Sequence, residues 1–132
     1  MRAPQFLEID DVFAVHADLV ARYGGTGGIR DLGLLQSALG MARASFDGQF
    51  LHTSLPEMAA AYFFHLVMNH PFIDGNKRVG LAAAIAFLGL NNLWLEADEE
   101  ELTTFVLRVA SAELQKADVA VFIRQRCEPF AP

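Results

Sequence analysis

The stretch that decides this fold is HPFIDGNKRVGLAAAIAFLGL, residues 70–90. Its second half, residues 79–90, is apolar nearly all round, and a helix with that pattern is typically buried on all sides. The stretch therefore predicts the central buried helix, which starts near Asn76 and ends at the turn signal Asn91-Asn92. Small residues such as Gly80 would let neighbouring helices approach it closely.

The rest of the chain predicts further helices. Apolar residues at helical spacing and cap residues such as Asp31, Ser54 and Asp98 place them at residues 10–23, 31–44, 54–69, 98–110 and 116–126. Asp47-Gly48, between two phenylalanines, signals a small hairpin within residues 45–53. No repeat or linker divides the chain. We predict one all-α domain over residues 1–132, a compact bundle of about six helices with a short flap or hairpin before the central helix pair.

Length, composition and net charge exclude several classes of protein. A chain of 132 residues can fold without disulfides, and its single cysteine, Cys127, excludes an internal one. Its first residues, Met-Arg-Ala-Pro-Gln, lack the apolar core of a signal peptide, so we expect a cytoplasmic protein. The net charge of −6 argues against direct nucleic-acid binding. The longest apolar run, residues 79–90, is shorter than the roughly 20 residues of a membrane span.

Residues 75–78, Gly-Asn-Lys-Arg, predict an anion site at the start of the central helix. The first helical amides lack intrahelical partners, and the helix dipole strengthens their attraction for anions. Gly75 lets a ligand approach the backbone, and Asn76 can cap the helix or bind a phosphate oxygen. Lys77 and Arg78 add positive charge, and Arg78 can bind phosphate in bidentate fashion.

His70 and Asp74 supply the other chemistry of this stretch. A carboxylate beside a phosphate suggests an intervening Mg²⁺, which proteins hold with one or two carboxylates plus substrate phosphates. Histidine titrates near neutral pH, so His70 can take a proton from an incoming hydroxyl. Phe72, flanked by charged residues, should turn into the core and fix the loop. The ordered set predicts phosphoryl or nucleotidyl transfer.

Residues 70–78 resemble the signature of the Fic/Doc family, His-x-Phe-x-(Asp/Glu)-(Gly/Ala)-Asn-x-Arg. Residues 28–39 and 69–92 resemble the N-terminal part and the core helix pair of Doc-type (death-on-curing) toxins. The resemblance implies the Fic/Doc fold, with His70 as the catalytic base and Asp74 as the Mg²⁺ ligand. It implies that the phosphates of ATP are bound by Gly75, Asn76, Lys77 and Arg78, of which the two cations would also act in catalysis.

Two positions favour the Doc type within this family. The adenylylating Fic pattern has glycine where this chain has Lys77, and a second arginine where it has Leu81. The resemblance then implies an inverted ATP, whose γ-phosphate faces a Ser/Thr hydroxyl of a translation factor, elongation factor Tu, so that translation stops. Adenylylation of a protein hydroxyl remains an alternative. An inactive Fic fold that serves as a binding module is a second alternative.

The resemblance also bears on control and on target binding. Self-inhibited Fic proteins carry Ser/Thr-x-x-x-Glu-(Gly/Asn), whereas here Thr53 and Glu57 have that spacing and Met58 follows. We therefore expect inhibition in trans, by the antitoxin protein of a toxin–antitoxin system. Residues 46–53 match the place of the flap that aligns the target peptide by strand addition.

Five other side chains receive structural interpretations. His16 falls on an apolar helix face, which favours a core or partner-facing role. His65 is a helix residue near the site and lacks the well-spaced companions of a zinc site. Cys127, on the last helix's apolar stripe, and Trp94 should be buried, and Arg30 should be exposed.

Overall fold

The computed structural model describes residues 3–130. These residues form six helices, which are α1 (Ile9–Tyr23), α2 (Leu32–Ala42), α3 (Leu55–Asn69), α4 (Asn76–Leu90), α5 (Glu99–Ala110) and α6 (Lys116–Arg126). Four short strands accompany them, namely β1 (Ser45–Phe46), β2 (Gln49–Phe50), β3 (Leu93–Leu95) and β4 (Cys127–Pro129). The predicted all-α class and the six predicted helices are confirmed. No helix within residues 3–130 has the length and apolar character needed to cross a bilayer.

The helices begin where their cap residues lie. Side-chain oxygens of Asp31, Ser54 and Asp98 accept the backbone N–H three residues later, at 2.9, 3.3 and 2.7 Å. The glutamates in the first turns of α3 and α5 do not complete capping boxes. Glu57 instead accepts from the Thr53 backbone N–H, and Glu101 pairs with an arginine of α6.

Helices α3 and α4 form the centre of the bundle. Helix α3 packs against α2, α4 and α6, and α4 also contacts α1. The two central helices approach each other closely at Gly80, where an added Cβ would lie 2.7 Å from Val67 Cγ2 and 3.1 Å from the Phe63 carbonyl oxygen. The predicted role of small residues in α4 is therefore confirmed at this contact.

Gly80→Ala should lower the free energy of unfolding by about 1–3 kcal/mol, because the new methyl group overlaps the Phe63 backbone and the Val67 side chain. Gly89→Ala, in the same helix, is the matched control, since an added Cβ there meets nothing within 4 Å. It should be neutral or stabilise by up to about 1 kcal/mol, through helix propensity. Urea denaturation of both variants measures the difference. Equal effects at the two positions would contradict the close contact.

A second two-stranded sheet was not predicted. Strand β3 pairs antiparallel with β4, with Trp94 opposite Glu128 and Leu95 opposite Cys127. The prediction that Trp94 is buried is wrong, because it is 39% exposed on this edge ribbon. The placement of Cys127 on α6 is also wrong, since the helix ends at Arg126. Cys127 is half-buried in β4, and that burial raises the pKa of its thiol.

The predicted hairpin is present but lies far from residues 70–78. Asp47 and Gly48 both have positive φ, at 54° and 79°, which suits a two-residue hairpin turn. The hairpin lines a cleft together with the first residues of α3 and with Leu90, at the C-terminal end of α4. Because α4 has 15 residues, this end lies about 21 Å from Asn76. The prediction that residues 46–53 form a flap over the site is therefore wrong.

Candidate active site

Residues 70–75 form a tight loop between the two central helices. Helix α3 ends at Asn69, and His70 takes the left-handed conformation with φ 49°. Gly75 also has positive φ, at 81°, directly before α4 begins. The predicted end of α3 at residue 69 is confirmed, and the positive φ of Gly75 is one that glycine adopts without strain. The loop brings His70 and Asp74 to the same end of the bundle as the α4 N-terminus.

Arg30 holds the first part of this loop. Its Nε donates to the His70 carbonyl oxygen at 2.6 Å, and its Nη2 donates to the Asn69 carbonyl oxygen at 2.8 Å. A guanidinium here satisfies orphan carbonyls at the C-terminus of α3 and matches the negative end of its dipole. Arg30 is exposed, as predicted, but its contact with the loop at residues 70–75 was not predicted.

Phe72, which belongs to the loop, and His16, which belongs to α1, pack against each other on the buried side of the loop. Phe72 is 1% exposed, which confirms that it turns into the core. His16, at 5% exposure, stacks on Phe72 with ring centroids 3.8 Å apart and planes at 10°. Its Nε2 lies 2.8 Å from the Asp74 carbonyl oxygen, and since a carbonyl can only accept, Nε2 carries the proton. The predicted core role of His16 is confirmed, and the structure adds its bond to the loop.

The side chain of Asn76 is directed at the loop. It is 8% exposed, its Nδ2 donates to the Phe72 carbonyl oxygen, and its Oδ1 accepts from the Phe72 N–H, both at 3.0 Å. This pair of bonds fixes Phe72 against the first turn of α4. Because these bonds occupy the side chain, Asn76 is predicted to bind nucleotide through its backbone amide, which belongs to the helix N-terminus.

The carboxylate of Asp74 is held at the rim of the site by two backbone amides. Oδ1 accepts from the Gly75 N–H at 2.9 Å, and Oδ2 accepts from the Thr26 N–H at 3.3 Å. A carboxylate has about four lone-pair sites, so each oxygen keeps acceptor capacity for a further ligand. An exposed carboxylate of this kind fits Mg²⁺ bound through one side chain plus substrate phosphates.

Lys77 and Arg78 lie exposed on the first turn of α4. The guanidinium carbon of Arg78 lies 4.9 Å from the ring centroid of Tyr23, a cation–π contact that holds it beside the end of α1. Both cations open onto a cleft of about 830 Å³ that also contains Asp74 and Gly75. Apolar side chains also line this cleft, among them Leu19, Leu81, Ile85, Leu102 and Val106. Clefts of this size hold small ligands such as nucleotides.

The segment that flanks residues 70–78 is 24–31. The Arg30 N–H donates to the Pro71 carbonyl oxygen at 2.8 Å, and the Ile73 N–H donates to the Gly28 carbonyl oxygen at 3.2 Å. Ile29 thus forms an antiparallel bridge with Phe72. Since successive residues of a strand point their N–H and C=O groups to opposite sides, those of Ile29 lie on the outer edge.

His65 lies away from this loop and contacts α6. Its Nε2 accepts from Lys116 Nζ at 3.2 Å, and burial lowers the pKa of His65 to about 4. Within the described part of the chain, no group of three or more His, Cys, Asp or Glu residues is arranged to hold a metal ion. The expectation that His65 is a helix residue is confirmed, since it lies within α3.

A family model described as the Fic/DOC family matches residues 6–88, more than half of the chain. The match includes the loop, both central helices and the supporting segment 24–31. The chain belongs to this family, and the fold and signature described above are those of a member.

Two curated relatives point to the Doc type within this family. The chain is 38% identical to Toxin Doc of Mycolicibacterium smegmatis over 94 residues, which cover 71% of this chain and 70% of that protein. It is 30% identical to Protein kinase doc of Escherichia phage P1 over 116 residues, which cover 88% and 90%. The resemblance to the Doc type within the family is therefore confirmed.

Proposed function

We propose that this protein is a Doc-like toxin that transfers the γ-phosphate of ATP to a Ser/Thr hydroxyl of a translation factor. The observation that carries this proposal is the convergence of Asp74, the α4 N-terminus and the two cations on one cleft, at the end of the loop that begins with His70. The relative named Protein kinase doc supports phosphate as the transferred group. Elongation factor Tu is the expected target, by family resemblance, and its modification would arrest translation.

In this proposal His70 is the general base. It takes the proton of the acceptor hydroxyl while the hydroxyl oxygen forms a bond to the γ-phosphorus. The bond between that phosphorus and the β–γ bridging oxygen breaks, and ADP leaves. The Arg30 bonds to the backbone at residues 69 and 70 fix the base relative to the cleft. Positioning and electrostatics carry most of the catalysis in reactions of this kind.

Asp74 would hold Mg²⁺, and the helix N-terminus would hold phosphate oxygens. Bound Mg²⁺ neutralises the charge that develops on the phosphates. The backbone amides that follow Gly75 donate to the phosphates, helped by the helix dipole. Lys77 and Arg78 add full charges at the same place, and Arg78 can turn from the Tyr23 ring toward a phosphate.

Residues 77 and 81 bear on which phosphate of the bound ATP faces the acceptor hydroxyl. Lys77 adds a side chain and a charge to the first turn of α4, where the adenylylating pattern has glycine. Leu81 is one of the apolar residues that line the cleft, so a second phosphate-binding arginine is missing from that position. Both features favour an ATP whose γ-phosphate, and not its α-phosphate, faces the acceptor hydroxyl.

The acceptor peptide has a different docking edge from the one expected. Because residues 28–30 pair with residues 71–73, the outer edge at Ile29 is a strand edge that lies directly beside this loop. Ile29 is 39% exposed. An extended target segment that pairs there would be aligned by main-chain hydrogen bonds.

Control of the activity would come from an antitoxin in trans. Glu57 lies in the first turn of α3, whereas His70 follows the last turn of the same helix. The Glu57 carboxylate also accepts hydrogen bonds from the backbone N–H and the hydroxyl of Thr53. These positions support the expectation that Glu57 is not an inhibitory glutamate. The relative named Toxin Doc supports a partner antitoxin.

Incubation of the protein with elongation factor Tu, Mg²⁺ and either γ-labelled or α-labelled ATP tests the proposal. Label on the factor from γ-labelled ATP alone supports phosphorylation. Label from α-labelled ATP would overturn it in favour of adenylylation. Neither label, together with no ATP·Mg²⁺ binding by calorimetry, would favour the inactive binding module.

A further inference from the structure

The glycine-rich segment 24–28, Gly-Gly-Thr-Gly-Gly, contacts the carboxylate that the proposed reaction uses. The Thr26 N–H donates to Asp74 Oδ2 at 3.3 Å. Gly25 has φ +108°, and a Cβ built on it would lie 2.7 Å from the same oxygen. A side chain at residue 25 and the present position of the Asp74 carboxylate are therefore incompatible.

We infer that Gly25 and Thr26 are positioning residues that set the orientation of the Asp74 carboxylate for a divalent cation. This inference rests on the proposed function, in which Asp74 is the metal ligand. It concerns a segment 48 residues away in sequence, which the signature at residues 70–78 does not include.

Segment 24–28 is anchored to the loop at residues 70–75, which allows it to orient the Asp74 carboxylate. Two residues after Thr26, the Gly28 carbonyl oxygen accepts from Ile73 at 3.2 Å, and Ile29 bridges Phe72. The Thr26 amide is thus carried by a backbone that is attached to the catalytic loop itself. Hydrogen bonds to a ligating carboxylate orient it before the metal arrives, and their loss weakens metal binding.

Three contacts from different parts of the chain converge on Asp74. The Gly75 amide fixes Oδ1, the Thr26 amide fixes Oδ2, and His16 Nε2 fixes the carbonyl oxygen. The His16 bond acts on the backbone of Asp74. The Gly75 and Thr26 bonds, together with the missing side chain at Gly25, set how the carboxylate is rotated, because each bond holds one of its two oxygens.

Gly25→Ala and Gly24→Ala form a matched pair for the test. Both glycines have positive φ, +82° at Gly24 and +108° at Gly25, so alanine is strained at either. An added Cβ at Gly24 meets nothing within 4 Å, whereas at Gly25 it meets Asp74. Backbone strain is therefore common to the two variants, and displacement of the carboxylate belongs to Gly25→Ala alone.

The first measurement is Mn²⁺ binding, read from paramagnetic broadening of the Gly75 amide resonance while Mn²⁺ and a non-hydrolysable ATP analogue are titrated. The half-broadening concentration should rise about tenfold or more in Gly25→Ala and stay within about twofold in Gly24→Ala. In transfer assays the KM for Mg²⁺ should rise in Gly25→Ala, with kcat at saturating Mg²⁺ within about threefold of the unaltered protein. Without metal, the Thr26 and Gly75 amide shifts should change in Gly25→Ala and persist in Gly24→Ala.

The outcomes separate the two proposals. If the unaltered protein binds Mn²⁺ and transfers phosphate while the two variants behave alike, the positioning role is overturned and the proposed function stands. If the unaltered protein transfers no phosphate yet binds Mn²⁺ more tightly than Gly25→Ala, the positioning role stands and the proposed reaction fails. If the unaltered protein binds no Mn²⁺ at residue 74, the positioning role is overturned together with the metal site.

Discussion

His70→Ala is expected to lower phosphate transfer to the target by about 10²–10⁴-fold, the usual contribution of a general base. Growth arrest on expression should disappear with it. Stability should change little, because His70 is exposed and Arg30 contacts its carbonyl oxygen, which alanine retains. Labelled-ATP assays and thermal unfolding of the same preparations measure both quantities.

Two further variants test whether the expected loss of transfer comes from removal of the His70 imidazole. His70→Asn suits the left-handed backbone at φ 49° and should be as inactive as the alanine variant, which separates loss of the base from backbone strain. His65→Gln, in α3, replaces a histidine whose contact is Lys116 and should retain transfer within about threefold. Growth arrest by a folded His70→Ala protein would show that catalysis is not how the protein acts.

Phe72→Ala is expected to cost about 3–5 kcal/mol in the free energy of unfolding, as for other fully buried phenylalanines. The ring is 1% exposed and stacks on His16, so its removal leaves a cavity directly under the catalytic loop. Equilibrium denaturation measures the loss. The folded fraction should also transfer phosphate poorly, because Phe72 fixes the backbone between His70 and Asp74.

Ile73→Ala is the control for this prediction. Ile73 is the next residue in the chain and is 54% exposed, so its truncation should change stability by less than about 1 kcal/mol. A cost at Phe72 as small as that at Ile73 would contradict the packing of the ring beneath the loop.

Much of the fold could be predicted from local sequence. The ends of α3 and α4 were predicted at the observed residues, because a cap residue, a proline or a glycine sets each of them within one turn. Phe72 was predicted as buried, because it is a large aromatic residue in a loop that carries His70 and Asp74. The signature residues 70–78 likewise lie at the start of α4, since their spacing is local.

The parts that were missed depend on residues distant in sequence. Strands β3 and β4 have three residues each and are separated by 31 residues, so neither has a periodic pattern of its own. The hairpin was predicted as a hairpin, but its position depends on the antiparallel packing of α3 and α4. Arg30 and Thr26 contact the catalytic loop only because residues 28–30 pair with it.

The sequence by itself determined the helices and the loop at residues 70–78, because caps, periodicity and motif spacing act within a few residues, and on the same ground it predicts the chemistry of His70, Asp74, Lys77 and Arg78. The tertiary structure decided which segment lies beside that loop. It placed residues 24–31 there, and not residues 46–53, because the bundle brings the end of α1 to the N-terminus of α4 and the hairpin to its other end. The orientation of Asp74 follows from that packing, through the Thr26 amide and the missing side chain of Gly25.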